Sequence, residues 1–164
     1  MKNLKFNALV RLYQNEVYSL ALYLLRDRTE AEDMAQEVYI RLWENLTQVE
    51  FARAKLWLLR VTRNACLDRL RRRTLERDFA QHSTREEPVQ GPVEELVREQ
   101  RSELLRQAVG GLEEPFRSLL ILRDIQQHSY QDIARILELS LDQVKVYLYR
   151  ARQQLKARLD ISTL

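Results

Sequence analysis

The sequence predicts an all-α fold: two small helical domains joined by a flexible linker, the second containing a helix-turn-helix. Only three Gly and three Pro occur in 164 residues, which leaves few of the turns that a β fold needs. Apolar residues recur at three- and four-residue spacing through most of the chain, as amphipathic helices require. Residues 79–93 lack that spacing and hold two of the three prolines. The pattern therefore predicts helices on both sides of a linker.

These observations set the predicted domain boundaries. We expect an N-terminal domain over residues 1–78, a linker over residues 79–95 and a C-terminal domain over residues 96–164. The linker segment is acidic toward its end, with four Glu between residues 86 and 95 against the single Arg85 before them. The two halves show no internal repeat.

Three helical stretches are predicted in the first half. Apolar residues between Phe6 and Leu25 fit one helix or a pair of helices. Thr29 to Glu32 has the form of a capping box, so we expect a helix of about four turns to start there. A third helix is predicted over Phe51 to Arg73, apolar at its start and rich in Arg at its end.

The second half begins with a predicted helix from about Val93 that ends at Gly110-Gly111. Another helix follows, with Pro115 near its start. Gln126 to His128 interrupts the apolar pattern before the most informative stretch begins.

Residues 129–158 have the pattern of a helix-turn-helix. Ser129 and Asp132 can cap a short helix, Glu138-Leu139 forms the turn, and Ser140 to Gln143 is a second capping box. A longer helix follows, with an apolar stripe on one side and basic residues on the other. In such a motif the second helix enters the major groove of DNA. The alternative is an ordinary helical hairpin that is basic on one side.

The charge distribution favours a nucleic-acid partner more than the net charge of +3 does. Seven Arg lie between Arg60 and Arg77, against two acids, and five bases lie between Lys145 and Arg158 with no acid. Each basic cluster is a candidate phosphate-binding surface or a solvated helix face.

Other classes of protein fit poorly. No apolar run is long enough to span a membrane, and the N-terminus does not resemble a signal peptide. The single Cys66 cannot form an intramolecular disulfide, so a cytoplasmic location is expected. His82 and His128 have no evident partner, and no nucleotide-binding glycine loop or metal-ligand cluster is visible. We therefore expect no enzymatic activity and no cofactor.

Three segments together resemble one family, the extracytoplasmic-function group of sigma-70 factors of RNA polymerase. Residues 29–43 (TEAEDMAQEVYIRLW) are similar to the helix that binds core polymerase, and residues 57–73 (WLLRVTRNACLDRLRRR) to the helix that recognises and melts the −10 element. Residues 130–155 (YQDIARILELSLDQVKVYLYRARQQL) resemble the helix-turn-helix that reads the −35 element. The resemblance covers nearly the whole chain, in the family's order.

The resemblance implies roles for individual residues. Those that match polymerase-binding positions are Asp33, Gln36, Glu37, Arg41 and Trp43. Those that match positions at the −10 element are Asn45, Asn64, Arg69, Arg71, Arg72 and Arg73. Those that match positions at the −35 element are Tyr130, Gln131, Gln143, Lys145, Tyr149, Arg150 and Arg152. The implied partners are core RNA polymerase, promoter DNA and an anti-sigma factor.

Three positions depart from the family's pattern. Glu138 stands at the turn where many relatives have Gly, so a left-handed backbone there would be mildly strained. Asp142 and Val146 replace residues that are often Gly and Ser. These changes are expected to alter promoter preference rather than abolish binding.

Three other functions fit the sequence less well. A stand-alone helix-turn-helix regulator would explain residues 129–158 but not residues 29–73. An enzyme lacks recognisable motifs, and a purely structural helical adaptor would not explain the clustered Arg. A sigma factor accounts for both halves.

Overall fold

The computed structural model describes the backbone of residues 1–77 and 93–162, and the side chains of residues 1–76 and 100–160. Within those backbone ranges every regular element is helical, which confirms the predicted all-α class. Most of the predicted linker, residues 79–95, lies outside the described residues. The first helix after it begins at Val93, so the last three residues of that predicted linker are helical.

The first half consists of three helices: α1 (Lys2–Leu25), α2 (Arg28–Glu44) and α3 (Ala54–Arg77), the last preceded by a 3₁₀ turn (Phe51–Arg53). The first stretch is thus a single helix. Each helix contributes buried apolar residues to a shared core, for example Leu20, Leu42 and Leu58. Burying side chains of this size is the main stabilising contribution to such a bundle.

One predicted cap is wrong. The cap of α2 is Asp27 rather than Thr29, because the Asp27 carboxylate accepts a hydrogen bond of 2.9 Å from the Glu30 N–H. Asp is as good an N-cap as Thr, and it stands one residue before the first helical position. Helix α2 therefore starts two residues earlier than a cap at Thr29 predicts.

The second half contains α4 (Val93–Gly110), α5 (Phe116–Leu120), α6 (Tyr130–Leu137) and α7 (Leu141–Ser162). Helix α4 ends at the predicted glycine. Helix α5 continues into a π-helical turn (Ile121–Ile125), in which the Gln126 N–H donates to the Ile121 carbonyl five residues earlier. The π-helical turn was not expected from the sequence.

Helices α6 and α7 form the predicted helix-turn-helix. The Ser129 hydroxyl caps α6 by accepting a hydrogen bond of 3.1 Å from the Asp132 N–H. Glu138 ends α6 with φ 56° and ψ 45°, the left-handed conformation expected for this turn. The chain then enters α7, whose apolar stripe of Val144, Leu148 and Ala151 is buried.

The two halves pack against each other. Helix α3 contacts α6, and α1 contacts α4, so buried residues from both halves form one hydrophobic cluster. His128 lies between the halves with only 5% of its surface exposed. Its Nε2 is 2.9 Å from the Gln126 amide oxygen, and the Gln126 amide nitrogen donates to the Glu16 carbonyl in α1. The sequence alone indicates no partner for His128.

Candidate nucleic-acid interface

Helix α7 presents an exposed basic and aromatic surface. Lys145, Tyr149 and Arg150 are exposed, and 65% of Tyr149 is accessible to solvent. Gln131, at the start of α6, is exposed as well. A helix-turn-helix uses the N-terminal part of its second helix to reach base edges and flanking bases to contact phosphates. This surface meets both requirements.

Gln143 caps helix α7, in addition to its predicted role in contacting the −35 element. Its amide oxygen accepts a hydrogen bond of 2.9 Å from the Ser140 N–H, while its own N–H donates to the Ser140 hydroxyl at 3.1 Å. The second capping box is therefore confirmed. The Gln143 side chain has to leave this cap, or use its remaining amide N–H groups, if it contacts DNA.

Arg152 and Tyr130 belong to a small cluster beside α7. The guanidinium of Arg123 lies 4.4 Å from the centre of the Tyr130 ring, a cation–π contact. Arg152 donates two hydrogen bonds to the Asp124 carboxylate, 3.0 and 2.6 Å long, and this pairing raises the Arg152 pKa. Arg152 thus fixes α7 to the π-helical turn, which carries both Asp124 and Arg123.

The Arg-rich end of α3 divides into two groups. Arg71 and Arg72 are exposed. Arg69 and Arg73 instead turn toward α2: Arg69 lies 3.4 Å from the Glu37 carboxylate, and Arg73 pairs with Glu30. Arg73 also donates to the Leu25 carbonyl at 3.2 Å. Two of the four predicted backbone-contacting arginines therefore hold α3 to the first two helices.

Asn64 and Asn45 lie in different settings. Asn64 is exposed and lines an open cleft of about 760 Å³. One side of this cleft is formed by α3, and the other by Glu114 and Arg117 of the second half. The Asn45 amide nitrogen donates a hydrogen bond of 2.8 Å to the Arg41 carbonyl and so caps the C-terminus of α2.

The predicted polymerase-binding residues share the outer surface of α2. Asp33, Gln36 and Arg41 are exposed, and Glu37 is half-buried between Arg41 and Arg69. Trp43 is 42% exposed and makes an edge-to-face contact with Phe6, with ring centres 5.3 Å apart.

Sequence analysis missed some residues that shape these surfaces. Asp124 and Arg123 lie in a π-helical turn that the sequence pattern does not reveal. Asp124 accepts hydrogen bonds from Arg152 of α7, and Arg123 packs on the Tyr130 ring. By contrast, Val146, which departs from the family's pattern in the sequence, is 48% exposed on α7 between the predicted contacts Lys145 and Tyr149.

Cys66 is buried, and its burial raises the thiol pKa to about 12, so the thiol is unreactive near neutrality. Among the described residues, no group of three His, Cys, Asp or Glu side chains is placed to hold a metal ion. None of the helices in the described part of the chain is both long and apolar enough to cross a membrane.

Comparison with known proteins accounts for both halves. Residues 9–76 match the family model of sigma-70 region 2, and residues 102–155 match that of sigma-70 region 4. The chain is 31% identical to RNA polymerase sigma factor YlaC of Bacillus subtilis, covering 90% of this chain and 88% of the relative. It is 29% identical to the extracytoplasmic-function sigma factor SigM of the same organism, covering 90% of each chain.

A solved structure has the same fold. The sigma factor RpoE of Bartonella quintana, crystallised with the anti-sigma factor NepR, superposes with a TM-score of 0.75 at 23% identity. The alignment covers 95% of this chain and 97% of that one. From its two matched regions and its relatives, this chain belongs to the extracytoplasmic-function group of sigma-70 factors of RNA polymerase.

Proposed function

We propose that this sigma factor binds core RNA polymerase through the outer surface of α2 and contacts promoter DNA through α7 and the end of α3. The observation that carries the proposal is that α2 and α7 each keep a polar surface exposed while their apolar sides share one core. One surface can hold the enzyme while the other binds DNA. The chain itself catalyses no step.

At the −35 element, we infer that α7 enters the major groove. Lys145 and Tyr149 lie near its N-terminal half, where side chains reach base edges. Arg150 is exposed farther along α7, where we place it on a phosphate, and we assign Tyr130 and Gln131 at the start of α6 to further contacts with the DNA. Arg152 acts through its pair with Asp124, which orients α7 against the rest of the domain.

At the −10 element, Arg71 and Arg72 extend from α3 into solvent, where they would contact the DNA backbone. Asn64 is exposed on the same helix, where it would contact an unpaired base. Stacking and hydrogen bonds to an unpaired base offset the cost of separating the strands. Arg69 and Arg73 keep α3 in place on α2, and Asn45 ends α2 beside the loop to α3.

We also infer that an anti-sigma factor controls this chain in the cytoplasm, where core polymerase acts. The support is that a protein of the same fold, at a TM-score of 0.75, was crystallised with an anti-sigma factor. Such a partner would act by covering the exposed surfaces of α2 or α7.

Binding to core polymerase tests the α2 surface. Asp33→Ala with Gln36→Ala should weaken binding to purified core enzyme at least tenfold, because both side chains are exposed on that surface. The matched control is Asn3→Ala with Asn7→Ala, two exposed polar residues on α1. Equal binding of both double variants would contradict the assignment of α2, and no binding by the unaltered chain would contradict the proposed function.

A further inference from the structure

Val146 is an apolar residue at the centre of the exposed side of α7. It is 48% exposed, whereas Val144, Leu148 and Ala151 of the same helix are buried. At about 100° per residue, Val146 lies roughly 140–160° around the helix axis from each of those three residues. Its side chain therefore points almost directly away from the core, toward whatever the helix binds.

Helix stability does not account for a valine at this position. A β-branched side chain loses rotamer freedom in a helix, and an exposed one recovers little of that loss by burial. The exposed residues around Val146 include the charged Asp142, Lys145 and Arg150. A departure from local preference of this kind is expected where a residue serves a function.

Cations lie on the two sides of Val146. Around the helix, Lys145 is about 100° to one side of it and Arg150 about 40° to the other. The Arg150 guanidinium lies 5.8 Å from the centre of the Tyr147 ring, which directs it farther to its own side. Cations on the two edges of a recognition helix are suited to the phosphates that border the major groove. Val146, between them, then faces the floor of the groove and its base edges.

Asp142 lies in the first turn of α7 on the same side as Val146. The two residues are four apart in sequence, which places them about 40° apart around the helix and about 6 Å apart along it. A carboxylate only accepts hydrogen bonds and a valine side chain makes none, so neither residue offers a donor. Guanine presents only acceptors in the major groove, its N7 and O6. A guanine opposite this pair would lose water without gaining a hydrogen bond, which disfavours guanine there.

The four bases differ in what they offer a valine. Thymine carries a methyl group at C5 on its major-groove edge, and adenine, guanine and cytosine lack it. Contact between that methyl group and the methyl groups of a valine removes apolar surface of both from water. A valine can therefore distinguish thymine from the other bases without any hydrogen bond.

We propose that Val146 reads the C5-methyl group of one thymine in the −35 element. The proposal rests on the proposed function for the entry of α7 into the major groove. The departure of Val146 from the family's pattern implies only an altered promoter preference. The geometry of α7 assigns that preference to one base and to one group on it.

A binding selection tests the choice of base. It uses the full-length chain with core polymerase and promoter duplexes randomised over the −35 element, with either the unaltered chain or Val146→Ser. The unaltered chain should enrich thymine at one position. Val146→Ser should lose that enrichment and keep the bases selected elsewhere, because it removes both methyl groups from an exposed site and leaves the core intact.

Deoxyuridine then isolates the methyl group, because it pairs as thymine does but lacks the methyl at C5. Deoxyuridine in place of the selected thymine should weaken binding by the unaltered chain about fourfold, the equivalent of one buried methyl group. Val146→Ser should bind the two duplexes equally. The control is Gln153→Ser, an exposed residue on the same side of α7 about two turns farther on, and it should keep the fourfold loss.

The outcomes distinguish this proposal from the proposed function. A selection that enriches other bases but no thymine, or equal binding of both duplexes by the unaltered chain, would overturn the role of Val146 and leave the sigma-factor function intact. A fourfold loss that persists in Val146→Ser would assign the methyl contact to another residue and would likewise overturn it. If core polymerase with the chain selected no sequence at all, the proposed function would fail, and this proposal with it.

Discussion

Arg152 and Asp124 are joined by two hydrogen bonds, 3.0 and 2.6 Å long, that connect helix α7 to the π-helical turn preceding α6. Twenty-eight residues separate the partners in the sequence. The pair holds α7 to that turn, while burial of Val144, Leu148 and Ala151 determines which side of α7 faces outward. Arg150 and Arg152 are close in sequence, but Arg152 pairs with Asp124 while Arg150 is proposed to contact DNA.

Alanine substitutions of Arg152 and Arg150 should distinguish the structural role from the DNA-binding role. Arg152→Ala should lower the free energy of unfolding by about 0.5 kcal/mol, since both partners of the pair are partly exposed, and should also reduce promoter binding. Arg150→Ala should reduce promoter binding without a change in stability. Urea unfolding and promoter binding by the polymerase complex measure the two effects. Equal stability losses in both variants would show that the Asp124 pair does not hold α7.

The capping and DNA-reading roles of Gln143 can be distinguished in the same way. Gln143→Ala removes the acceptor of the Ser140 N–H and should cost about 1 kcal/mol of stability. Gln143→Glu preserves that acceptor and favours the helix N-terminus, so stability should be kept while the added negative charge weakens promoter binding. If Gln143→Glu kept full promoter binding, Gln143 would be a cap alone.

Glu138 has a backbone conformation that favours glycine. With φ at 56°, its Cβ is strained, so Glu138→Gly should stabilise the second half by about 0.5–1 kcal/mol. The loss of its exposed pair with Arg60 offsets only a small part of this gain. Thermal unfolding measures the change, and Glu138→Ala serves as the control that loses the same pair but keeps a Cβ. A lower melting temperature for Glu138→Gly than for Glu138→Ala would contradict the prediction.

His128 should make the packing of the two halves pH-dependent. Burial lowers its pKa, Lys55 lowers it further, and Asp132 opposes them in part. The unfolded chain therefore takes up the proton more readily, and stability should fall as the pH drops below about 6.5, the ordinary His value. Burial raises the pKa of the neighbouring Glu16, and a carboxyl with a raised pKa shifts stability in the opposite direction on acidification.

His128→Gln isolates the contribution of the imidazole. The unaltered chain should lose more stability between pH 7.5 and pH 5.5 than His128→Gln does, as measured by urea unfolding at each pH. Glu16→Gln is the control for the opposing carboxyl and should increase the loss on acidification. The same pH dependence with and without His128 would rule out this account.

Sequence patterns predicted the local structure well because its causes are local. The cap of α7 joins residues three apart, and the end of α4 coincides with Gly110. Where two cap residues compete, as Asp27 and Thr29 do, spacing alone did not decide between them. The π-helical turn was also missed, because its apolar residues Ile121, Leu122 and Ile125 fit an ordinary helix equally well.

The assembly of the site depended on contacts that no local pattern encodes. Arg63 meets Glu114 across 51 residues, and Gln126 meets Glu16 across 110. The run of Arg at the end of α3 looked uniform in sequence. Only the packing of α3 on α2 shows that Arg69 and Arg73 pair with acids of α2. Arg71 and Arg72 are exposed, and Arg71 pairs with Asp68 of its own helix.

The most direct test of the central claim is to add the purified chain to core RNA polymerase and map the transcripts started on genomic DNA. The account predicts a discrete set of start sites sharing motifs near −35 and −10, lost with Arg150→Ala and kept with the control Gln154→Ala, another exposed residue of α7. The same start sites with and without the chain would contradict it.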